Sequence, residues 1–483
     1  MEKKYEATCV GFGARIEAEV VTPRPYQLEA VDRAFADWKR GCRSTLFICP
    51  TGGGKSLVFS LVARHHRQDG GRRVLVLADR EWLVTQARDN IVQHAGLSSG
   101  IEMADEKVDR ERLPEVVCAS VQSLVRRLRD FPPKTFDLIV FDEADLALAP
   151  SYRKIATRFG MARILGVTAT PERHDGVALK EMFESVCLDV DIRDLIDAGY
   201  LCNVRQWPVK VLDLSRVKIA DGDFDGPLLD KILCEERHLH EVVRPTMDLS
   251  GDRPTLIFGT SVLHAQALAA LFNRYRPGSA RSIHGKTPRA ARREILGAFV
   301  RREFQYLCNC MLIGRGVDVP EIACVAMARP TFSRTVYVQG LGRGFRMSAN
   351  KADCLVIDFT DNSDNFSLVS AIDVLGGRST PEARERARQI VEEEPGERVT
   401  DALDRAAREL EADATMRARV RASVRFKKRE MQFREPIDWK ALPLGRVSDQ
   451  EIAEKVGTNA ATVACARHRL GIKMTGAGDG AAA

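Results

Sequence analysis

The chain predicts an α/β fold: two successive parallel sheets covered by helices, then a helical linker and a small helical C-terminal module. Three observations carry this. Short β-like runs alternate with helix-sized intervals, the pattern of a parallel sheet with helices on both faces. The alternation occurs twice within 483 residues, a length too great for one compact domain. Beyond about residue 375 the runs give way to charged, alanine- and arginine-rich sequence.

In the first set the strands are predicted at Thr45 (TLFICP), Arg73 (RVLVLAD), Glu115 (EVVCAS), Phe136 (FDLIVFDEAD) and Arg163 (RILGVTAT). The second set places strands at Thr255 (TLIFGT), Ala280 (ARSIHG), Phe304 (FQYLCNCML), Cys324 (CVAMARP) and Asp353 (DCLVIDFT). The boundary is expected near Val204 to Val211, and Asp221 to Asp230 reads as a polar loop leading into a helix. Helix is predicted from Pro381 to Arg434, interrupted at Glu394-Pro395-Gly396. The expected division is therefore an extension (1–22), a first domain (23–205), a second (206–375), a charged helical linker (376–436), a two-helix module (437–474) and a tail without apolar period (475–483). Arg417, Arg419, Arg421, Arg425, Lys427, Lys428 and Arg429 crowd the linker, either as a solvated surface or as an arm meeting phosphates.

Composition narrows the class. Hydrophobic residues make up 45% of the chain, enough for sizeable cores, yet no apolar run reaches the roughly 20 residues that cross a bilayer. The N-terminus lacks the apolar segment of a secretory signal, so a soluble cytoplasmic protein is expected, with no membrane partner. Twelve cysteines are scattered with no CxxC pair, which points to reduced, buried thiols. Cys308 and Cys310 alternate along one predicted strand and argue against a metal site there. A net charge of +6 permits a nucleic-acid partner without requiring one.

Chemistry concentrates in three segments. Pro50 to Ser56 (PTGGGKS) sits between a predicted strand and a predicted helix. Gly52, Gly53 and Gly54 let the backbone after Thr51 turn its N–H groups inward, the helix N-terminus adds partial positive charge, Lys55 can reach β- and γ-phosphates, and the Ser56 hydroxyl can ligate Mg²⁺. The general pattern has glycine where Cys49 stands. Asp142 and Glu143 follow the apolar run Leu138 to Phe141 and would project at the carboxyl edge of the sheet, where open α/β folds place ligands. Asp142 can hold Mg²⁺ while Glu143 orients and deprotonates the attacking water. In Gln339 to Arg346 (QGLGRGFR), Arg343 and Arg346 lie three apart on one helical face and can reach across a cleft to a phosphoryl group held by the first domain. The cofactors expected are ATP and Mg²⁺.

The order of these segments resembles superfamily 2 helicases and translocases over nearly everything from Arg24 to Asp361, which implies two tandem RecA-like domains. The resemblance assigns Arg24, Tyr26 and Gln27 to the adenine. It gives Arg80 with Gln86, and Ser120 with Gln122, to the nucleic-acid backbone, although each also suits a helix cap. Thr168 and Thr170 are implied to couple hydrolysis to movement. Thr260 and His284 fall in the second domain's nucleic-acid motifs, while Gly316, Asp318 and Gln339 fall in its nucleotide motifs. Where RNA-remodelling DEAD-box proteins read PTRELA, SAT and HRIGR, this chain has ADREWL, TAT and QGLGRGFR, so the likeness is to the RadD-like and type III restriction-like branch, which acts on DNA. LIDAGYL at Leu195 and SIHGKTP at Ser282 are in keeping with it.

Leu444 to Ile472 carries an independent signal. Ser448 with Glu451 forms a capping box, Ile452, Ala453 and Val456 space a short helix, Gly457 closes it, and Thr458 or Asn459 opens another containing Val463, Arg467 and Arg469. This resembles a helix-turn-helix, with Arg467 and Arg469 approaching phosphates; a protein-docking module is the alternative. The expected protein is a monomeric ATP-dependent DNA helicase or translocase, associated with the nucleoid. A nucleotide-controlled clamp that remodels complexes without separating strands, or an RNA helicase, stands behind it.

Overall fold

In the computed structural model, residues 22–169, 179–212, 214, 217, 219–220, 223–310, 319–349, 351–361, 368–432 and 437–474 are described. The chain forms two compact units, 1–408 and 409–483.

The first unit holds both sheets. The first sheet comprises β1 (Ser44–Ile48), β2 (Val74–Ala78), β3 (Ser99–Glu102), β4 (Val116–Ser120), β5 (Leu138–Asp142), β6 (Arg163–Thr168) and β7 (Ser185–Asp189), in the order β3-β4-β2-β5-β6-β1-β7. Every pairing is parallel. β1, β2 and β4 are buried along their whole length, which is why their sequences are continuous apolar runs rather than alternating ones. The edge strands β3 and β7 escape the sequence reading because each buries only part of its length.

The second sheet is built from β8 (Asn203–Leu212), β11 (Thr255–Phe258), β12 (Ala280–His284), β13 (Tyr306–Cys310), β14 (Cys324–Met327) and β15 (Asp353–Asp361), in the order β12-β13-β11-β14-β15-β8, again all parallel. A short antiparallel pair, β9 (Ile219–Ala220) and β10 (Asp223–Phe224), stands apart from it. Because β8 begins at Asn203 and pairs with β15 along its length, the expected boundary at 205/206 falls inside a strand of the second sheet. Pro208 is tolerated there because β8 is an edge.

The expected charged linker also divides differently. Helix Pro381–Glu393 and the first turns of helix Val399–Gln432 bury Ala383, Ala387, Ile390, Val391, Val399, Ala402, Leu403 and Ala406. These residues join an apolar cluster that also contains Val58 and Phe59 of the first half and Leu341 and Phe345 of the second. A stripe this narrow on an arginine- and glutamate-rich helix reads as solvated by composition, yet it is enough to dock one face.

In the second unit, helices Asp449–Val456 and Ala460–Arg469 pack around Leu444, Ile452, Ala453 and Val463. Ser448 and Glu451 form the predicted capping box, Gly457 closes the first helix in the left-handed conformation, and Asn459 caps the second. No described helix is long and apolar enough to cross a membrane, and no cluster of metal-ligating side chains occurs among the described residues.

Candidate active site

β1 runs buried into Cys49, and the chain then turns through Thr51 to Gly54 into helix Lys55–Gln68. Gly52 and Gly54 have φ of +89° and +81°, the left-handed region open chiefly to glycine. Gly53 is required for another reason: a Cβ there would lie 2.3 Å from the Cys49 sulfur. Cys49 thus fills the space under the turn. Its thiol is pushed up to about 12 by burial and stays neutral, so it serves as an apolar floor. Lys55 Nζ donates to the Cys49 carbonyl at 3.2 Å, and Ser56 occupies the first turn of the helix beside it.

The outer side of the turn is braced by helix Pro25–Lys39. Tyr26 OH donates to the Gly53 carbonyl at 2.5 Å and Gln27 Nε2 donates to the same oxygen at 3.0 Å. Gln27 Oε1 accepts from the Arg24 backbone N–H at 2.8 Å, and the residue is 2% exposed. One N–H and one lone pair of the amide are engaged in this way. Gln27, expected at the edge of an adenine, also holds the turn in shape.

Strand register brings the carboxylates alongside. Ile48 pairs with Thr168, and Val167 pairs with Asp142, so the carboxyl ends of β1, β6 and β5 lie side by side. Thr168 is fully buried and its carbonyl accepts from the Cys49 N–H at 2.9 Å; Thr170 lies outside the described residues. Burial lifts the Asp142 carboxyl well above the usual carboxylate range, with the Glu143 charge adding to the shift and Lys55 opposing it. Glu143 has φ +54° and ψ 63°, a conformation that costs a residue with a Cβ on the order of 1–3 kcal/mol and clusters at functional sites. Its N–H donates to Asp142 Oδ1 at 3.1 Å.

The second half supplies cations to this edge. Helix Arg334–Leu341, which carries Gln339, is capped by Ser333 and leads into Gly342 to Arg346. A Cβ on Gly342 would fall 2.5 Å from Thr51 Cβ, and one on Gly52 would fall 3.0 Å from Leu201 Cδ2 and 3.6 Å from Arg346 Cγ. The glycine turn and the arginine segment therefore abut, with glycine on each side of the seam. Arg343 is 5% exposed. Burial pulls its guanidinium down to about 10 against the opposing charge of Glu143, and Arg346 is pulled to about 10 as well. Both stay protonated at neutral pH, which suits a weakly hydrated, delocalised cation. The side chain of Gln339, and all of Gly316 and Asp318, lie outside the described residues.

Two sets of residues at this seam were not singled out in the sequence. Leu201 pairs antiparallel with Arg346, the Cys202 N–H donates to the Phe345 carbonyl at 2.8 Å, and Arg24 lies over the Tyr200 ring at 4.6 Å. The stretch LIDAGYL marks this segment as a likeness but assigns no contact. From helix Arg334–Leu341, Tyr337 OH donates to Asp358 Oδ1 at 2.6 Å, and Gln206 Nε2 donates to Asp358 Oδ2 at 2.7 Å; burial pushes this carboxyl up to about 7. A tyrosine in an apolar helix gives no sequence signal that its hydroxyl ties two strands to that helix.

The residues expected at nucleic acid sit elsewhere along the same edges. Arg80, 43% exposed, and Gln86 follow β2, while Ser120 and the exposed Gln122 follow β4, on the far side of β5 from the glycine turn. Ser120 Oγ accepts from the Ser123 N–H at 3.2 Å, so the helix-cap reading describes it. Thr260, after β11, donates its hydroxyl to Asp230 Oδ1 at 2.8 Å. His284, ending β12, lies 3.4 Å from Gln266. In the second unit, Arg467 donates to Asp449 at 2.8 and 3.0 Å and to the Ile472 carbonyl at 3.3 Å. Expected at a phosphate, it instead ties its own two helices together, leaving Arg469 as the exposed guanidinium of the second helix.

A glycine-rich turn capping a helix, a paired carboxylate at the neighbouring strand ends, and arginines from a second sheet meet at the seam of two RecA-like domains. Residues 20–173 match the family described as type III restriction enzyme, res subunit, and residues 236–348 match the helicase conserved C-terminal domain. The chain belongs to superfamily 2 helicases, in the type III restriction-like branch. It is 32% identical over 374 residues to the Saccharomyces cerevisiae protein that carries the name ATP-dependent helicase IRC3, covering 74% of this chain and 54% of that one. To the Kineococcus radiotolerans DNA 3'-5' helicase XPB it is 27% identical over 338 residues, covering 67% and 57%. The chain spans little more than half the length of these relatives. In fold it is similar to a fragment of an HsdR subunit of a type I restriction enzyme from Vibrio vulnificus, with TM-score 0.58, 23% identity, and 74% and 68% of the two chains covered. A type ISP restriction-modification enzyme, LlaBIII, gives TM-score 0.59 at 16% identity, over 77% and 30%.

Proposed function

We propose that this chain is an ATP-dependent DNA helicase or translocase that hydrolyses ATP at the seam between its two sheets and moves along DNA as that seam closes and opens. One observation carries the reading: the Gly52–Gly54 turn abuts the Arg343–Arg346 segment, which brings the buried Arg343 within the electrostatic reach of Glu143.

Lys55 leaves the Cys49 carbonyl for the β- and γ-phosphates. The donor set suits Mg²⁺, since the Ser56 hydroxyl and the Asp142 carboxylate are hard oxygen ligands and a buried carboxylate beside Glu143 needs further positive charge. Held by Ser56 and Asp142, Mg²⁺ would supply positive charge against the phosphates. Glu143 takes a proton from the attacking water. Arg343 and Arg346 stabilise the negative charge on the transferring phosphoryl group, with Gln339, Gly316 and Asp318 completing the second domain's side of the site. Thr168 and Thr170 pass the change to the neighbouring strands.

Arg80, Gln86, Gln122, Thr260 and His284 track one DNA backbone along the two carboxyl edges, and Arg469 adds a phosphate contact from the two-helix module, which also suits a protein partner. The protein acts as a monomer in the cytoplasm, on nucleoid DNA.

The test is ATP hydrolysis measured with single-stranded DNA, duplex, forked DNA and RNA, beside strand displacement on the fork. Stimulation by DNA with separation of the fork is expected. Stimulation without separation moves the reading to a translocase or a nucleotide-controlled clamp, and stimulation by RNA alone overturns it.

A further inference from the structure

Lys351 lies two residues before β15 and is 7% exposed. Its ammonium turns back on the arginine segment: Nζ donates to the Gly344 carbonyl and, at 2.9 Å, to the Arg346 carbonyl. The oxygen between them is taken by the segment that joins the two sheets, where the Cys202 N–H donates to the Phe345 carbonyl at 2.8 Å. Cys202 Sγ also donates to the Gly344 carbonyl at 3.1 Å, and burial raises this thiol while the Lys351 charge opposes the shift. Every carbonyl from Gly344 to Arg346 is therefore held by a group outside that stretch. The need for such a clamp comes from the glycines on either side of Arg343. Close approach demands them, since a Cβ on Gly342 would collide with Thr51 and one on Gly344 with the Cys354 sulfur, yet glycine leaves a backbone loose. A guanidinium ends a long side chain, so its aim is only as fixed as the backbone it leaves from. Lys351 answers this with a compact head of three donors and charge-assisted bonds, anchored by β15, which pairs on both sides with β14 and β8.

We propose that Lys351 is a positioning residue for ATP hydrolysis: it fixes the backbone from Gly344 to Arg346, so that Arg343 and Arg346 meet the phosphoryl group in the geometry its transfer needs, without itself touching the nucleotide. This rests on the hydrolysis proposed above and on the role given there to the two arginines.

The experiment is a kinetic double-mutant cycle on the full chain with DNA and Mg²⁺, reading kcat and KM for ATP, equilibrium ATP binding and, for the slowest variants, single-turnover rates. Lys351→Met keeps the apolar stem and removes the donors. It is expected to lower kcat on the order of 10²-fold, the scale of a misplaced reacting group, with KM and ATP affinity within about 3-fold of the parent. Lys351→Arg, which keeps a cation and its donors, is expected to recover most of the turnover. In a chain already carrying Arg343→Ala and Arg346→Ala, Lys351→Met is expected to cost less than about 2-fold more, because the groups it positions are gone. Undiminished kcat in Lys351→Met overturns the inference. So does an equal loss of turnover in both backgrounds, or a loss of ATP binding or of the folded circular dichroism signal, since each makes Lys351 a structural residue. Normal turnover in the chain carrying both arginine substitutions would instead remove the arginines from the reaction, and Lys351 would have nothing to position.

Discussion

Arginine does different work in the seam between the sheets and in the C-terminal helix pair. Arg343 is almost fully buried, and burial lowers its proton affinity against the pull of Glu143; a cation so desolvated feels a nearby negative charge strongly. Arg467 makes a bidentate pair with Asp449 inside its own unit, and its charge is spent on architecture. Arg469, on the same helix, is exposed, so its attraction for a phosphate is screened by solvent and salt. The degree to which each guanidinium is desolvated and paired decides whether it suits chemistry, fold or encounter.

The sharpest way to break this contrast is Arg343→Ala, together with Arg346→Ala. Each is expected to lower ATP turnover on the order of 10³-fold, the usual value of an arginine supplied across a domain seam, with nucleotide affinity largely intact; steady-state hydrolysis beside equilibrium binding checks it. Next comes Glu143→Gln, expected to bind ATP and DNA but turn over at least about 10²-fold slower, the scale of a lost general base. Normal turnover in single-turnover kinetics would reject the role of that carboxylate.

At the other end of the contrast, Arg469→Ala is expected to weaken DNA binding about uniformly across sequences and to lower the slope of log affinity against log salt by about 1. Arg467→Ala should instead lose helix content in the isolated module's circular dichroism if that module folds alone, or in the full chain's difference spectrum if it does not. A salt-slope change from Arg467→Ala with helix content intact would return that residue to the phosphate.

The smallest expected effect concerns Asp142. Its folded carboxyl titrates above the unfolded value of about 3.9, chiefly because of burial. The ionised form is therefore disfavoured by folding, and stability is lost as pH rises from the unfolded value through the raised one. Asp142→Asn removes that cost: its melting temperature is expected to exceed the parent's by roughly 2 °C or more at pH 8, and the gain should vanish near pH 4, while turnover is abolished. Thermal melts across that range decide it.

Much of the fold was legible because buried parallel strands must be apolar along their whole length; all ten predicted strands form. The edges β3, β7 and β8 were not, since a strand buried on one side and interrupted by polar residues or proline looks like loop. The capping box at Ser448 and the left-handed Gly457 were legible for a local reason: caps are satisfied by residues a few positions apart.

Taken alone, the sequence determined the glycine turn before Lys55, the acidic strand end at Asp142 and Glu143, the arginine pair and their order along the chain, because each is a local pattern whose backbone demands are met within a few residues. Only tertiary structure decided that Gln27 braces the turn, that Cys49 forms its floor, that Arg467 faces inward and that Tyr200 joins Arg24 beside the nucleotide turn. Those outcomes depend on which distant groups arrive first at a polar atom or an empty volume, and sequence separation carries no record of that competition.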